Sequence, residues 1–242
     1  MREKLSVNAS AYAPTLLTLP WSTPLEQWSD TLLAALPQGI SRHTVRLVSA
    51  DGKVMAIKEI GEHAAFHEYR TLKQLQDLDA PCVIPIAVIT HRVTDDGEEL
   101  TPCLVTEHLA FSLPYREVFS HVLDVDTVNK LIRALAVLLV RLHLLGFFWG
   151  DVSLSNTLFR RDADEFAAYL VDAETGEFHD PLSAGKRLYD VDLARVNIIG
   201  ELMDLQAGDY ISDELDVIAL GDEIERVYHE LWELMTGEIV VD

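Results

Sequence analysis

The pattern of apolar and polar positions predicts strands in the first half of the chain and long helices in the second half. Alternating apolar runs predict four strands, at residues 44–48, 53–58, 83–89 and 103–109. The first two strands flank Asp51 and Gly52, and an Asp-Gly pair between alternating runs is a strong signal of a β-hairpin. This half of the chain therefore predicts a small antiparallel sheet.

Apolar residues at intervals of three and four predict five helices, at residues 25–36, 62–78, 127–145, 189–205 and 213–234. The third helix is apolar on nearly all sides, as expected for a helix in the centre of a lobe. Because it also contains Arg133, Arg141 and His143, we interpret it as a core helix and not as a membrane span. The residues before the first helix are irregular and interrupted by prolines, which indicates a lead segment packed on the surface.

These elements predict an α+β chain in three parts. Residues 1–36 form the lead segment and its helix, residues 37–110 form a small antiparallel-sheet lobe, and residues 111–242 form a mainly helical lobe. A chain of 242 residues is long enough for two lobes that share a cleft.

The charge balance narrows the range of partners. The chain has 40 Asp and Glu against 19 Lys and Arg, a net charge of −21. A surface of this charge repels the phosphates of nucleic acids and anionic lipids, so no nucleic-acid or membrane partner is expected. Cys82 and Cys103 lack metal-type spacing and are expected to be free thiols. No signal-peptide pattern is evident at the start, which indicates a cytoplasmic protein.

The candidate chemistry is concentrated in one loop and the strand that follows it. Asp151 and Asn156 stand five residues apart after the apolar helix, and Asp172 ends a later predicted strand. Protein kinases use an Asp to accept the hydroxyl proton, an Asn to hold one Mg²⁺, and an Asp to hold the metals at the phosphates. Gly150 stands where protein kinases have Arg, as in small-molecule and lipopolysaccharide kinases.

An upstream lysine supports this interpretation. Lys58 ends the run Val-Met-Ala-Ile-Lys, which matches the kinase strand whose lysine binds the α- and β-phosphates. Glu68, on the predicted helix ten residues later, is expected to hold Lys58 in place. Glu59 and Glu62 are alternatives for that role. The competing interpretation is a buried strand that ends in a solvated lysine.

The phosphate-binding region departs from the protein-kinase pattern because no Gly-x-Gly-x-x-Gly sequence precedes the hairpin. Phosphates would then be held by backbone N–H groups near Gly39 and Ile40, or by the side chains of Ser41, Arg42 and His43. For Arg42 and His43, a solvated turn is an equally good interpretation.

The remaining nucleotide contacts are predicted by position alone. Backbone groups of Glu107, His108 and Leu109 follow the fourth strand, where a kinase hydrogen-bonds the adenine. Asp-Ala-Glu replaces Asp-Phe-Gly after the later strand, so Glu174 is a candidate Mg²⁺ ligand. A loop acid that points to water is the alternative for Glu174.

Three further polar residues receive structural interpretations. His143 is expected to be a core histidine with its hydrogen bonds satisfied. Asp190 and Asp192 lie at the start of a predicted helix and are expected to cap it. An acid that braces the catalytic loop is the alternative for this pair.

Beyond these motifs, the chain resembles a bacterial, largely actinobacterial, lipopolysaccharide-kinase-like family of unknown function within the protein-kinase-like superfamily. The resemblance rests on five stretches between residues 36 and 207, namely 40–43, 111–116, 147–161, 168–177 and 197–205. It implies a two-lobed kinase-like fold with a small antiparallel-sheet N-lobe and a shortened, mainly helical C-lobe. It does not imply a substrate.

Taken together, the residues predict an ATP- and Mg²⁺-dependent transfer of the γ-phosphoryl group to a hydroxyl. Lys58 orients the phosphates, Asp151 receives the proton, and Asn156 and Asp172 bind Mg²⁺. The acceptor is a small molecule, a sugar or lipid, or a protein, including this chain itself, and a protein partner is among the candidates. One alternative is a catalytically silent kinase fold that binds nucleotide as a regulatory module. Another is a metal-dependent hydrolase, in which Lys58 has no role.

Overall fold

The computed structural model describes residues 4–36, 42–121, 125–163 and 165–237. Helices and antiparallel sheets are both present, and the chain divides into two compact units. Unit 1 comprises Met1–Asp77 and Cys82–Ala110, and unit 2 comprises Leu78–Pro81 and Phe111–Asp242. None of the helices in the described ranges is both long and apolar enough to cross a membrane.

Unit 1 is built on one antiparallel sheet. Its elements are β1 (Ser6–Ala9), α1 (Ala13–Leu16), a 3₁₀ helix (Leu25–Gln27), β2 (Val45–Ala50), β3 (Lys53–Glu59), α2 (Glu62–Asp77), β4 (Ile84–Thr90) and β5 (Cys103–Glu107). The strands lie in the order β1-β4-β5-β3-β2. The four strands predicted from alternating runs are therefore confirmed, with ends shifted by one to two residues.

The predicted hairpin is confirmed at its turn. Strands β2 and β3 pair from Val45 opposite Lys58 to Ala50 opposite Lys53. Asp51 and Gly52 have φ values of 48° and 73°, and two positive φ angles in succession are what a two-residue hairpin turn of matching twist requires.

The lead segment differs from the prediction. The helix predicted over residues 25–36 is wrong, because only Leu25–Gln27 forms a single 3₁₀ turn and Leu33 then bridges to Val48. A strand that was not predicted, β1, pairs with β4. Five side chains of the segment are buried in the same core as the sheet: Leu16, Leu19, Trp21, Leu25 and Trp28. Residues 4–36 are therefore part of unit 1 and not a surface appendage.

Unit 2 contains two small sheets and four helices in its described part. Its elements are β6 (Ser112–Pro114), α3 (Tyr115–His121), α4 (Val125–Leu144), β7 (Phe147–Phe148), β8 (Thr157–Asp162), β9 (Glu165–Leu170), β10 (Glu177–Phe178), α5 (Ala184–Ala207) and α6 (Val217–Thr236). One sheet has the order β6-β8-β9, and the other pairs β7 with β10.

Helix α4 is the centre of unit 2. It packs against α6, β9 and β7, and its residues from Leu131 to Leu142 are buried except at positions 133, 137 and 141. The expected core helix is confirmed. Residues 173–183 separate Asp172 from the first residue of α5, so the segment that follows Asp172 is short.

Candidate active site

The first group of candidate residues lies in unit 1. Lys58 is near the end of β3 and Glu68 is on α2. The Lys58 Nζ lies 3.0 Å from Glu68 Oε2, and the side chains are 13% and 1% exposed. A carboxylate this deeply buried needs a charged partner, so the strand lysine and the helix glutamate hold each other in one geometry.

The two alternatives to Glu68 take other places. Glu59 accepts from Arg92 Nη1 at 2.9 Å, and the Arg92 side chain is completely buried. Arg92 also donates to the carbonyl oxygens of Trp21 and Thr23 at 3.3 and 2.9 Å. Glu59 therefore belongs to a buried network that ties the lead segment to the sheet. Glu62 lies in the first turn of α2.

The predicted phosphate-binding positions fall in two classes. Gly39, Ile40 and Ser41 lie outside the described residues. Arg42 is exposed, and its Nε donates to Nε2 of His43 at 3.3 Å.

The predicted adenine-binding backbone starts at the end of β5. Glu107 ends this strand, and its carboxylate lies 3.4 Å from Lys53 Nζ. The amide of His108 donates to Val54 O at 3.0 Å, so this N–H is committed within unit 1. The carbonyl oxygen of His108 and the backbone groups of Glu107 and Leu109 stay as the predicted positions.

The second group lies on the loop of unit 2 that joins β7 to β8. The Asn156 side-chain amide donates to the Asp151 carboxylate at 2.9 Å and to the Asp151 carbonyl oxygen at 2.9 Å. These two bonds fix the orientation of the Asp151 carboxylate without neutralising it.

Gly150 makes the tight entry into this loop possible. Its φ is 76°, which disfavours other residues. A Cβ at this position would lie 3.2 Å from Phe148 Cε1 and 3.3 Å from the carbonyl oxygen of Thr175. The local backbone therefore requires glycine at the position before Asp151.

Helix α5 holds the loop through three polar side chains. Asp190, which is fully buried, accepts from the amides of Trp149 and Gly150 at 2.7 and 2.8 Å. Asn197 donates to Val152 O at 2.8 Å. The loop is thus anchored on both sides of Asp151.

Glu201 completes this support. Its two carboxylate oxygens accept from the amides of Leu154 and Ser155, each at 2.8 Å. Burial raises the pKa of Glu201, while the amide bonds act in the opposite direction. The spacing of seven and four residues from Asp190 to Glu201 places all three supports on one face of α5.

The loop is also tied to the segment that contains Asp172. The indole of Trp149, a fully buried side chain, donates to Asp172 O at 2.9 Å. The Val171 amide donates to Asn156 O at 3.1 Å. The carbonyl oxygens of Asn156 and Asp172, the two predicted metal ligands, are therefore both held by hydrogen bonds that connect the loop with this segment.

The chemistry of these donors fits Mg²⁺. Because the Asn156 nitrogen donates to Asp151, its oxygen faces elsewhere and can serve as a ligand. Asp172 supplies carboxylate oxygen, and hard cations take oxygen ligands. The Glu174 amide donates to Asp172 Oδ1 at 3.0 Å. Within the described ranges, no three His, Cys, Asp or Glu side chains cluster closely enough to hold a metal.

His143 is a core residue, as expected. Its ring nitrogens lie 2.8 Å from the Tyr228 hydroxyl and 3.1 Å from Asp190 Oδ2. Burial lowers the pKa of His143. A carboxylate oxygen accepts, so in the neutral ring Nε2 donates to Asp190 and Nδ1 accepts from the Tyr228 hydroxyl. His143 thereby helps to orient the Asp190 carboxylate that holds the loop. For Asp190 the bracing interpretation is the one the structure supports, and the helix-cap expectation is corrected because Ser183 caps α5.

Sequence reasoning missed Trp149, Asn197 and Glu201. The signal for the last two was present: they are polar residues at helical spacing beside the buried positions Ile198 and Leu202 of an amphipathic helix. A polar side chain in that position needs a buried partner. Trp149 gave no comparable signal, since a buried tryptophan is ordinarily core.

Two of three comparisons with known proteins found a match, and both support the same fold. The sequence pattern of the family described as lipopolysaccharide kinase (Kdo/WaaP) matches residues 53–206. A solved structure described as WaaP in complex with acyl carrier protein is similar at a TM-score of 0.50 and 17% identity, over 80% of this chain and 90% of that one. No curated protein matches by sequence. The expected α+β, kinase-like fold is confirmed.

Proposed function

Because the chain belongs to the lipopolysaccharide kinase (Kdo/WaaP) family, we propose that it transfers the γ-phosphoryl group of ATP to a hydroxyl group of a sugar or glycolipid. The family resemblance expected from the sequence is confirmed, and with it the class of kinase-like phosphotransferases. ATP and Mg²⁺ as cosubstrate and metal, the acceptor and a cytoplasmic location belong to the proposal.

Each residue has a defined task in the proposed reaction. Lys58, held by Glu68, binds the α- and β-phosphates. Asp151 orients the acceptor hydroxyl and takes its proton. Asn156 and Asp172 would hold Mg²⁺, which neutralises charge on the phosphates when bound. The proton, once on Asp151, leaves to solvent after transfer.

The observation that carries the proposal is the bracing of the catalytic loop. Asn156 orients Asp151 through two bonds of 2.9 Å, and α5 anchors the loop through Asp190, Asn197 and Glu201. Burying polar side chains costs free energy, and positioning a catalytic group for a ligand accounts for that cost. The buried pair of Lys58 and Glu68 favours a kinase over a hydrolase, which would leave this pair without a task.

The acceptor follows from the short segment after Asp172 and from the family. Residues 173–183 leave little chain to form a platform for a peptide. The family is described by its action on lipopolysaccharide, in which the accessible nucleophiles are sugar hydroxyls. A sugar or glycolipid hydroxyl is therefore favoured over a protein.

The first test is the melting temperature with and without MgATP. If MgATP binds the folded protein at about one hundred times its dissociation constant, it adds about 2.7 kcal/mol, which is a rise of roughly 5–10 °C for a chain of this size. Asp172→Ala should lose this rise. Asp213→Ala, which removes an exposed acid from the same unit, is the matched control and should keep it.

The second test separates a kinase from a silent fold and from a hydrolase. The protein is incubated with ATP labelled at the γ-phosphate and with purified glycolipid or sugar acceptors. Label on an acceptor, lost in Lys58→Met, supports the proposal. A metal-dependent melting rise without turnover indicates a silent nucleotide-binding module, and release of free phosphate alone indicates a hydrolase. No rise at millimolar MgATP contradicts the proposal.

A further inference from the structure

A groove on unit 2 lies apart from every residue assigned to phosphoryl transfer. It has a volume of about 260 Å³ and is bounded by α4, β9 and Pro81. Lys130, Arg133 and Arg141 stand on the α4 side, with Val137 between them. Val137 is 40% exposed, so the groove combines a cationic wall with an apolar strip open to solvent.

The charge of this wall is opposite to that of the protein. The chain carries a net charge of −21, yet residues 127–150 contain no Asp or Glu. Lys130 pairs with Asp126 at 3.2 Å, an exposed pair of small energetic value. Arg141 donates from Nη2 to the carbonyl oxygen of Asp79 at 3.2 Å, and its charge is not neutralised by that contact. Glu165 is the acid in the lining.

The other wall is the edge of a sheet. Strand β9 is the last strand in the order β6-β8-β9. The Val171 amide donates to the carbonyl oxygen of Asn156, the residue before β8. Hydrogen-bonded and non-hydrogen-bonded pairs alternate in an antiparallel ladder. Phe166, Ala168 and Leu170 therefore direct their N–H and C=O groups away from β8. The Leu170 amide confirms this direction, since it donates to Pro81 O at 2.9 Å.

Two positions of this edge can still take a partner. In the described part of the chain, the outward groups of Phe166 and Ala168 have no hydrogen-bond partner, and both residues line the groove. Phe166 is half-buried, whereas Ala168 is 6% exposed and is reached only from inside the groove. An edge of this kind is a template for an added strand. Two outward backbone positions alone would not define a ligand. The cationic side chains beside them favour a ligand of negative charge.

We propose that the groove between α4 and β9 binds an extended acidic segment of a partner protein. The segment adds to β9 through the backbone groups of Phe166 and Ala168. Its carboxylates face Lys130, Arg133 and Arg141, and its apolar side chains lie on Val137. The proposal goes beyond phosphoryl transfer and does not depend on it.

The test uses a fluorescein-labelled octapeptide of alternating Glu and Val, which combines acidity with strand propensity. Binding is measured by fluorescence anisotropy at low and at physiological salt. Two control peptides have the same length: one replaces Glu by Lys, and the other carries an N-methyl group on every backbone amide, which leaves no N–H to pair along an edge. Hydrogen exchange at the Phe166 and Ala168 amides is measured with and without the peptide.

The protein variants separate the groove from general charge. R133E/R141E reverses two exposed charges in the groove, and Lys73→Glu makes the same kind of change on α2 in unit 1, outside the groove. We expect the double variant to weaken peptide binding at least tenfold and Lys73→Glu to change it less than twofold. The circular dichroism spectrum should be unchanged in both.

Four results would overturn the proposal. They are no binding of the Glu-Val peptide, equal binding by the double variant, equal binding of the N-methylated peptide, and unchanged exchange of the two amides in the complex. The last result, together with full displacement of the peptide by 10 mM inorganic phosphate, would identify a simple anion site. Slower exchange of both amides, limited to the Glu-Val peptide, supports strand addition.

Discussion

At the residue scale, the loop around Asp151 depends on buried acceptors placed under backbone amides. Asp190 and Glu201 each accept hydrogen bonds from two consecutive loop amides. A backbone N–H buried without a partner costs about 1–3 kcal/mol, so each carboxylate stabilises one side of the loop. Asp190 and Glu201 are therefore positioning residues for the loop and do not themselves act on a substrate.

The role of Asp151 can be tested by Asp151→Asn. The amide oxygen can still accept from Asn156, so the loop should keep its shape, but the side chain no longer takes a proton. General-base catalysis contributes about 10²- to 10⁴-fold, and we expect the single-turnover rate of γ-phosphoryl transfer to fall by that factor. The melting temperature should stay within about 2 °C. An unchanged rate would exclude Asp151 as the base.

Glu201→Gln tests the support under the loop. The amide NH₂ of Gln cannot accept from a second backbone N–H, so one of the amides of Leu154 and Ser155 loses its partner. The cost is about 1–3 kcal/mol. We expect a lower free energy of unfolding in urea and a lower kcat, with rescue by Glu201→Asp no better than partial because the shorter chain does not reach both amides.

The same residue gives a pH dependence with a defined sign. Burial raises the pKa of Glu201 above its usual 4.5, so the folded protein binds this proton more tightly than the unfolded chain. Its contribution to stability is fully present below pH 4.5 and is lost as pH rises through the raised pKa. The difference in unfolding free energy between wild type and Glu201→Gln should therefore vary with pH across that window. A flat difference would mean that the carboxylate is not held in a buried site.

At the element scale, a buried arginine adds to the contacts that hold the lead segment on the sheet of unit 1. Arg92 donates to Glu59, to the carbonyl oxygens of Trp21 and Thr23, and to Thr101 O at 2.6 Å. Its guanidinium also lies 5.8 Å from the Trp21 ring. A planar group with five donors suits this set of acceptors, and no shorter cation reaches them all.

Arg92→Met should therefore destabilise unit 1. Removing one partner of a buried ion pair costs about 3–5 kcal/mol, because the other charge is left unpaired. Urea unfolding followed by tryptophan fluorescence measures this, since Trp21 and Trp28 lie in the affected core. Arg226→Met, which removes the ion pairs of an exposed arginine on α6 with Glu223 and Glu230, is the control and should cost less than about 1 kcal/mol. Equal effects would contradict the structural role of Arg92.

At the scale of the whole molecule, net charge opposes folding. A charge of −21 on 242 residues produces self-repulsion that is stronger in the compact state than in the unfolded chain. Several cations of the described residues are in exposed pairs that contribute little, such as Lys53 with Glu107.

Salt should therefore stabilise this protein. Raising NaCl from 10 to 300 mM shortens the screening length from about 30 Å to less than 8 Å, and we expect the melting temperature to rise by several degrees. Calorimetry at constant pH measures the effect, and a neutral osmolyte at equal osmolarity controls for effects other than screening. A fall in melting temperature would show that specific ion pairs outweigh the net repulsion.

Much of the architecture could be predicted because it depends on short-range patterns. The β2–β3 hairpin follows from alternation around Asp51 and Gly52, and α2 and α4 follow from a helical period. The lead segment could not be predicted, since its short elements gain stability only from the core formed by Trp21, Trp28 and the sheet. The spacing of apolar residues along the chain cannot reveal a strand of four residues whose partner, β4, is about 80 residues away.

The sequence by itself determined the candidate chemistry: Lys58, Asp151, Asn156 and Asp172 stand out because their residue types and local spacing are those of phosphoryl transfer. Only the tertiary structure decided which side chains serve them. Glu68, and not Glu59, lies at Lys58, and Asp190, Asn197 and Glu201 support the loop from α5. The physical reason is that a motif is local in the chain, whereas a buried carboxylate finds its partner through packing that joins residues 10 to 47 positions apart.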